Sequence, residues 1–264
     1  LWRLAPDFRH GTATYKFGPV ETLSVGPYAG QRTLLFRGYV GSERRIDQYL
    51  FQRGGPRGWS LASGERWLAG QGPRSTGRYV TVFERRPGYS WTLPPHLVAN
   101  LDAAVAHMAD CLGLGADRLD LLAREKLHYL LVAPDVVSYL ARAETVGYAN
   151  RQVDMVVTSH PHHAHELAHL LVDVWLGSTT AATLPLLQEG LATHLGGRSG
   201  RAGPVLDRVG RATLADGTVK LADLLTARGF RRQSADLAYP AAGVFAAFLL
   251  DGYGPDGLRA ACRA

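Results

Sequence analysis

Residues 160–177 read HPHHAHELAHLLVDVWLG, and the fold turns on how this stretch is read. Five histidines and Glu166 fall within its first ten residues, after which it becomes almost wholly apolar. His165, Glu166, Leu167, Ala168 and His169 form the pattern H-E-x-x-H. In a helix of about 3.6 residues per turn, positions i and i+4 share a face, so two imidazoles can reach one ion. The flanks favour a buried helix. Pro161 suits a first helical turn, Leu167, Leu170, Leu171, Val174 and Trp175 give an apolar stripe, and Gly177 offers a stop.

A zinc site that keeps one position open takes three protein ligands, so two histidines are not enough. The segment LPLLQEGLATHLGG supplies a third in Glu189, 20 residues after His169. It carries a second helical pattern from Leu184 to Leu195 that ends in Gly196-Gly197. Gly177, Ser178, Thr179 and Thr180 let the chain reverse between the two. An antiparallel helix delivering a carboxylate to the first is therefore expected.

His165-Glu166-x-x-His169 followed by Glu189-Gly190-Leu191-Ala192 resembles the gluzincin zinc metallopeptidases, which include the thermolysin-like and aminopeptidase N-like families. The nearest likeness is to the small bacterial proteins grouped as peptidase MA-like. YPAAGVFAAFLLDGYGPDGLRAACRA, from Tyr239 to the end, resembles that group's closing helices, where a tyrosine starts a helix and a Tyr-Gly pair ends it. The likeness spans roughly residues 75–264 and is strongest from about 150 onward.

The resemblance implies a zincin-like catalytic domain with one Zn²⁺ per chain, held by His165, His169 and Glu189. Metal-site chemistry independently asks for a carboxylate that is not a ligand and can move protons. Glu166, directly after the first ligand, is that general base. Tyr239 is the expected second electrophile for the oxyanion: Pro240 would start a helix and hold the tyrosine at its end, and the family's transition-state tyrosine has a matching position. The alternative for Tyr239 is a core residue opposite Phe245. His194 is a weaker candidate for the same role, since a polar surface position explains it equally well. Asp173, four residues after His169, either orients a ligand imidazole or is an exposed helix aspartate. His162 could share the face of His165 but is surplus to the metal, and His160 and His163 are expected in solvent at the helix entrance.

The implied function is zinc-dependent hydrolysis of peptide bonds. TVGYANRQVDMVVTS reads as a half-buried strand, with Val153, Met155 and Val157 alternating with Gln152, Asp154 and Val156. In the resembled fold it is the edge strand bordering the cleft, to which an extended peptide or protein substrate could add. GYANRQVDM does not match the Gly-x-Met-Glu-Asn amine anchor of aminopeptidases, so an endopeptidase is favoured. Two other readings stay open: a zinc hydrolase acting on a non-peptide amide, and a catalytically silent binding protein with the same fold.

At 264 residues and 46% hydrophobic, the chain can bury a full core. Its net charge of +6 rests on scattered arginines, because Lys16, Lys126 and Lys220 are the only lysines. No nucleic-acid motif accompanies them, and no nucleic-acid partner is expected. The longest apolar run, Ala241 to Leu250, is too short to span a bilayer. Cys111 and Cys262 permit one disulfide without requiring it. The chain begins at Leu1 without a leader pattern, as expected of a mature or trimmed product. Export of many peptidase MA-like proteins favours an extracytoplasmic setting, with a cytoplasmic one still open.

The expected fold class is α+β, a mixed sheet over the H-E-x-x-H helix and a helical C-terminal half. Before it, residues 1–74 form a β-rich region in which ATYKF, TLSV, RTLLFRGYV and DQYLFQ are candidate strands. After it come strand RYVTVFE, a helix from about Pro95 to Leu112, strand KLHYLLV, a helix near Pro134 to Ala141, the edge strand, and then helices.

Overall fold

A computed structural model describes residues 7–10, 13–17, 31–40, 43–53, 59–62, 64–70, 73–85, 94–141, 143–151, 153–177 and 184–262. The chain divides into two compact units, Leu1–Gln71 and Gly72–Ala264. The first is an antiparallel five-stranded meander, β1 (Asp7–His10), β2 (Ala13–Phe17), β3 (Gln31–Val40), β4 (Glu43–Arg53) and β5 (Trp59–Ala62), in sequence order. Its spine is the β3–β4 pair, in register from Gln31 opposite Gln52 to Val40 opposite Glu43. A short helix, α1 (Gly64–Ala69), follows. Three of the four candidate strands are thus strands, while TLSV lies outside the described residues.

The second unit is α+β, built on a mixed five-stranded sheet of order β6-β7-β8-β10-β9. Its strands are β6 (Arg74–Thr76), β7 (Val80–Arg85), β8 (Leu127–Val132), β9 (Gly147–Asn150) and β10 (Met155–Thr158). β7, β8 and β10 are mutually parallel, and β6 and β9 run antiparallel at the two ends. The unit starts before Arg74, so a boundary at 74/75 cuts through β6.

The edge-strand expectation needs correcting. All four residues of Met155–Thr158 are buried, because this strand lies between β8 and β9. Full burial removes the need for a polar face, and the edge position falls to Gly147–Asn150.

The helices are α2 (Leu97–Cys111), α3 (Ala116–Glu125), α4 (Pro134–Ala141), α5 (Ala164–Leu176), α6 (Pro185–Gly196), α7 (Gly203–Ala215), α8 (Leu221–Leu224), α9 (Ala227–Arg232) and α10 (Ala235–Ala261). α3 has no counterpart in the sequence reading; Leu119, Leu122 and Ala123 line its inner face, of which Leu122 alone is buried. α5 is the centre of the main core. Its Leu167, Ala168, Leu171 and Trp175 are fully buried and cluster with Leu97, Leu101 and Val105 of α2 and with Tyr129 and Val156 of the sheet. Each large apolar side chain so buried stabilises the fold by roughly 1.5–3 kcal/mol. A second cluster joins Leu186 of α6 to Phe230 and to Ala238, Ala241 and Ala242 of α10.

α6 is pressed between α5 and α10, and two glycines permit the approach. A Cβ on Gly190 would stand 2.5 Å from the Ala242 carbonyl oxygen, and one on Gly196 would stand 2.5 Å from that of Ala164. Both neighbours are backbone and cannot swing aside. These contacts set the height and rotation of the helix that carries Glu189.

Two helix starts differ from expectation. α5 begins at Ala164, not at Pro161, because the entering residues are bonded elsewhere: the Tyr129 hydroxyl donates to the carbonyls of His160 (2.8 Å) and Pro161 (3.2 Å) and accepts from the His163 N–H (3.0 Å). α10 begins at Ala235, with Pro240 inside it, because the Ser234 carbonyl already accepts from the amides of Leu237 and Ala238. At its far end α10 breaks at Gly254 (φ 68°, ψ 168°) and resumes at Pro255, where the Tyr-Gly pair was expected to end a helix. Among the described residues no helix is long and apolar enough to cross a membrane.

Candidate metal centre

α5 presents His165 and His169 on one face, their rings perpendicular with centroids 4.9 Å apart. Both are buried, at 6% and 8% exposure. α6 brings Glu189 to them: its Oε2 lies 3.2 Å from His165 Nε2 and 3.3 Å from His169 Nε2. One donor atom from each of the three residues lies within 4.8 Å of the others, a group able to hold a metal ion.

The hydrogen-bond inventory shows how a cation could be held there. His165 Nδ1 donates to the Gly197 carbonyl at 2.9 Å. That bond fixes the tautomer, so in the neutral ring Nε2 carries a lone pair. The lone pair points at a carboxylate, which when ionised can only accept. Two acceptors facing each other need a positive charge between them, either protons on the imidazoles or a metal ion. Burial by itself raises the Glu189 carboxyl, but the hydrogen bonds and charges of His165 and His169 hold it well below the usual carboxylate range. Two imidazoles and one carboxylate form a donor set that suits zinc, so the residues present fit the ion.

Glu166 lies one residue beyond His165, half-buried, its Oε1 3.7 Å from His163 Nε2. His163 is not a solvated entrance residue. Its Nδ1 is 2.9 Å from Thr158 Oγ1, its amide is held by Tyr129, and burial lowers its pKa despite the Glu166 charge. The Thr158 hydroxyl donates to the Val146 carbonyl at 3.1 Å, so the His163 Nδ1–H donates to Thr158 and Nε2 is left facing Glu166. No local pattern marks His163, because its partners are supplied by the sheet. His160 is exposed, as expected, and so is His162, which does not join the face of His165.

Tyr239 stands beside the centre, its ring centroid 6.0 Å from that of His165 and 5.2 Å from that of Phe230. It packs on the second core cluster and also borders His165. Its position comes from the second turn of α10, one turn later than a helix start at Pro240 would give. His194 does not join the site. It is exposed on α6, its pKa lowered by burial of part of the ring and raised by Asp251 and Asp207. Asp173 is half-buried and ion-paired with Arg151 Nε at 3.2 Å, and among the described residues no hydrogen bond joins it to His169. Burial raises its carboxyl, against the charges of Arg151 and His169. Cys111 and Cys262 are free thiols, and Cys111 Sγ is 3.9 Å from His107 Nε2.

Arg198 has no sequence signal at all. It follows Gly197 in the turn after α6, and its Cζ lies 3.2 Å from the centre of the Tyr239 ring.

Comparison of the chain with protein-family models, with curated proteins and with solved structures returns no match in any of the three.

Proposed function

We propose that the chain is a zinc-dependent peptidase of gluzincin type, with a zincin-like arrangement around His165, His169 and Glu189. The observation that carries this reading is the convergence of the three donor atoms within 4.8 Å, with the Nδ1–H of His165 already committed to Gly197. When bound, zinc would supply a Lewis acid for the scissile carbonyl and would acidify water. The chain's own residues do the rest. Glu166 takes the proton from the attacking water and returns it to the leaving amine. The Tyr239 hydroxyl donates to the oxyanion that forms. β9, last in the sheet order, offers the extended backbone along which a peptide aligns, which favours endopeptidase action. Cleavage of an unstructured protein that stops with chelator and returns with added zinc is the expected result. Cleavage that persists in chelator would refute it.

A further inference from the structure

We infer that Arg198 forms a carboxylate-recognising subsite beside the metal centre, so that the substrate carries a carboxylate close to the bond that is cut; this rests on the peptidase reading above. Five other arginines of this unit are already engaged, and Arg208, Arg228, Arg231 and Arg232 are exposed. Arg201 pairs with Asp236, Arg151 with Asp173, Arg211 with Asp207 and Arg259 with Asp256, while Arg118 donates to the Val174 carbonyl. Among the described residues, the Arg198 guanidinium has neither an ion pair nor a hydrogen bond. Its one interaction is with the Tyr239 ring.

The geometry of that interaction matters. A guanidinium lying on an aromatic ring is attracted through its face, whereas its N–H donors point outward from its edge. Stacking therefore holds the plane and leaves the donor fork free, which lowers the entropy lost when a carboxylate binds in bidentate fashion. The turn that carries Arg198 is itself braced, since Arg198 N–H donates to the Arg201 carbonyl at 3.1 Å and Arg201 N–H returns a bond at 2.8 Å. The same turn supplies the Gly197 carbonyl that orients His165. The carbonyl that orients His165 and the guanidinium are thus carried by adjacent residues.

Charge and reach agree with this assignment. A dication bound by neutral imidazoles is balanced by Glu189 and Glu166, so Arg198 leaves the centre with one positive charge in excess. The cation lies no farther from the His165 ring than the 6.0 and 3.2 Å separations laid end to end. An extended chain advances about 3.3–3.6 Å per residue. The carboxylate recognised therefore belongs within about three residues of the attacked carbonyl. A free C-terminus and an acidic side chain both supply that chemistry.

The test is equilibrium binding to the zinc-loaded full chain carrying Glu166→Gln, which suppresses turnover. Three dye-labelled peptides of one sequence are compared: a free C-terminal carboxylate, a C-terminal amide, and an amide with one internal glutamine replaced by glutamate. The expected result is that at least one carboxylate peptide binds about 10–100-fold more tightly than the plain amide, and that adding Arg198→Met brings the ratio close to one. Tighter binding of the first peptide identifies a terminal carboxylate, and of the third an acidic side chain. Should Arg198→Met not fold, Arg198→Gln is read in its place. Equal binding of the three peptides, no binding of any, or a preference that survives loss of the arginine would overturn the inference. Failure of the peptidase reading shows separately, as wild-type chain that leaves all three peptides uncut.

Discussion

Glu189→Ala removes one of the three proposed ligand atoms, and its effect can be worked out through metal-linked stability. In the wild type, zinc at about a thousand times its Kd stabilises the fold by roughly 4 kcal/mol. For a unit of this size each kcal/mol moves Tm by about 2–4 °C, so zinc should raise Tm by about 8–16 °C. Mutating groups that merely support metal ligands weakens affinity about 10–100-fold, and losing a ligand costs at least the upper figure. At the same zinc concentration the variant then retains about 1.4 kcal/mol at most, or about 3–6 °C. The assay is a thermal melt of both proteins in chelator and in zinc. A zinc-induced rise of the same size in both would refute the reasoning, because it would place the stabilising ion elsewhere, for instance on the exposed His160 and His162.

Tyr239→Phe should lower turnover by about 10²–10³, the usual scale for one oxyanion donor, with zinc content unchanged; a rise in KM alone would make the tyrosine a pocket wall. Gly190→Val forces side-chain atoms against the Ala242 carbonyl and should destabilise the fold by about 1–3 kcal/mol while lowering zinc affinity, since it displaces the helix bearing Glu189; denaturant melts and a zinc titration check both. In metal-free protein, stability should fall with falling pH in two stages. His163 and His194 have folded pKa values below the ordinary histidine value, so the unfolded chain binds protons first as pH drops through about 6.5, and stability is lost from there down to the folded values. Glu189, held well below the ordinary carboxylate range, adds a loss beginning near pH 4–5. Urea melts between pH 8 and pH 4 would show this, and flat stability from pH 7 to pH 5 would contradict the histidine assignment.

What the sequence made legible follows from how local each signal is. His165 and His169 are a helical i, i+4 pair, and Glu189 sits in a second helix bounded by Pro185 and Gly197, so the candidate ligands could be named without coordinates. β7 and β8 also carry their own patterns, whereas the single strand read over residues 145–159 is two, β9 and the buried β10. The rest depends on partners distant in sequence. The Tyr129 hydroxyl binds backbone groups 31 to 34 residues away and thereby delays the start of α5. His163 is buried only because Thr158 and Tyr129 receive it. Arg198 looks like any loop arginine until α10 sets Tyr239 beneath it. Pro240 was misleading for a related reason: a proline favours a helix start only where nothing upstream is already helical, and Ser234 caps this helix a turn earlier.

The most direct test of zinc-dependent hydrolysis compares wild type with Glu166→Gln, measuring metal content by elemental analysis and cleavage of an unstructured protein on the same samples. One zinc per chain in both, with cleavage in the wild type largely lost in the variant, is the result expected if Glu166 moves the proton and does not hold the metal. Equal cleavage by the two proteins, or a wild type that binds no zinc, would contradict it.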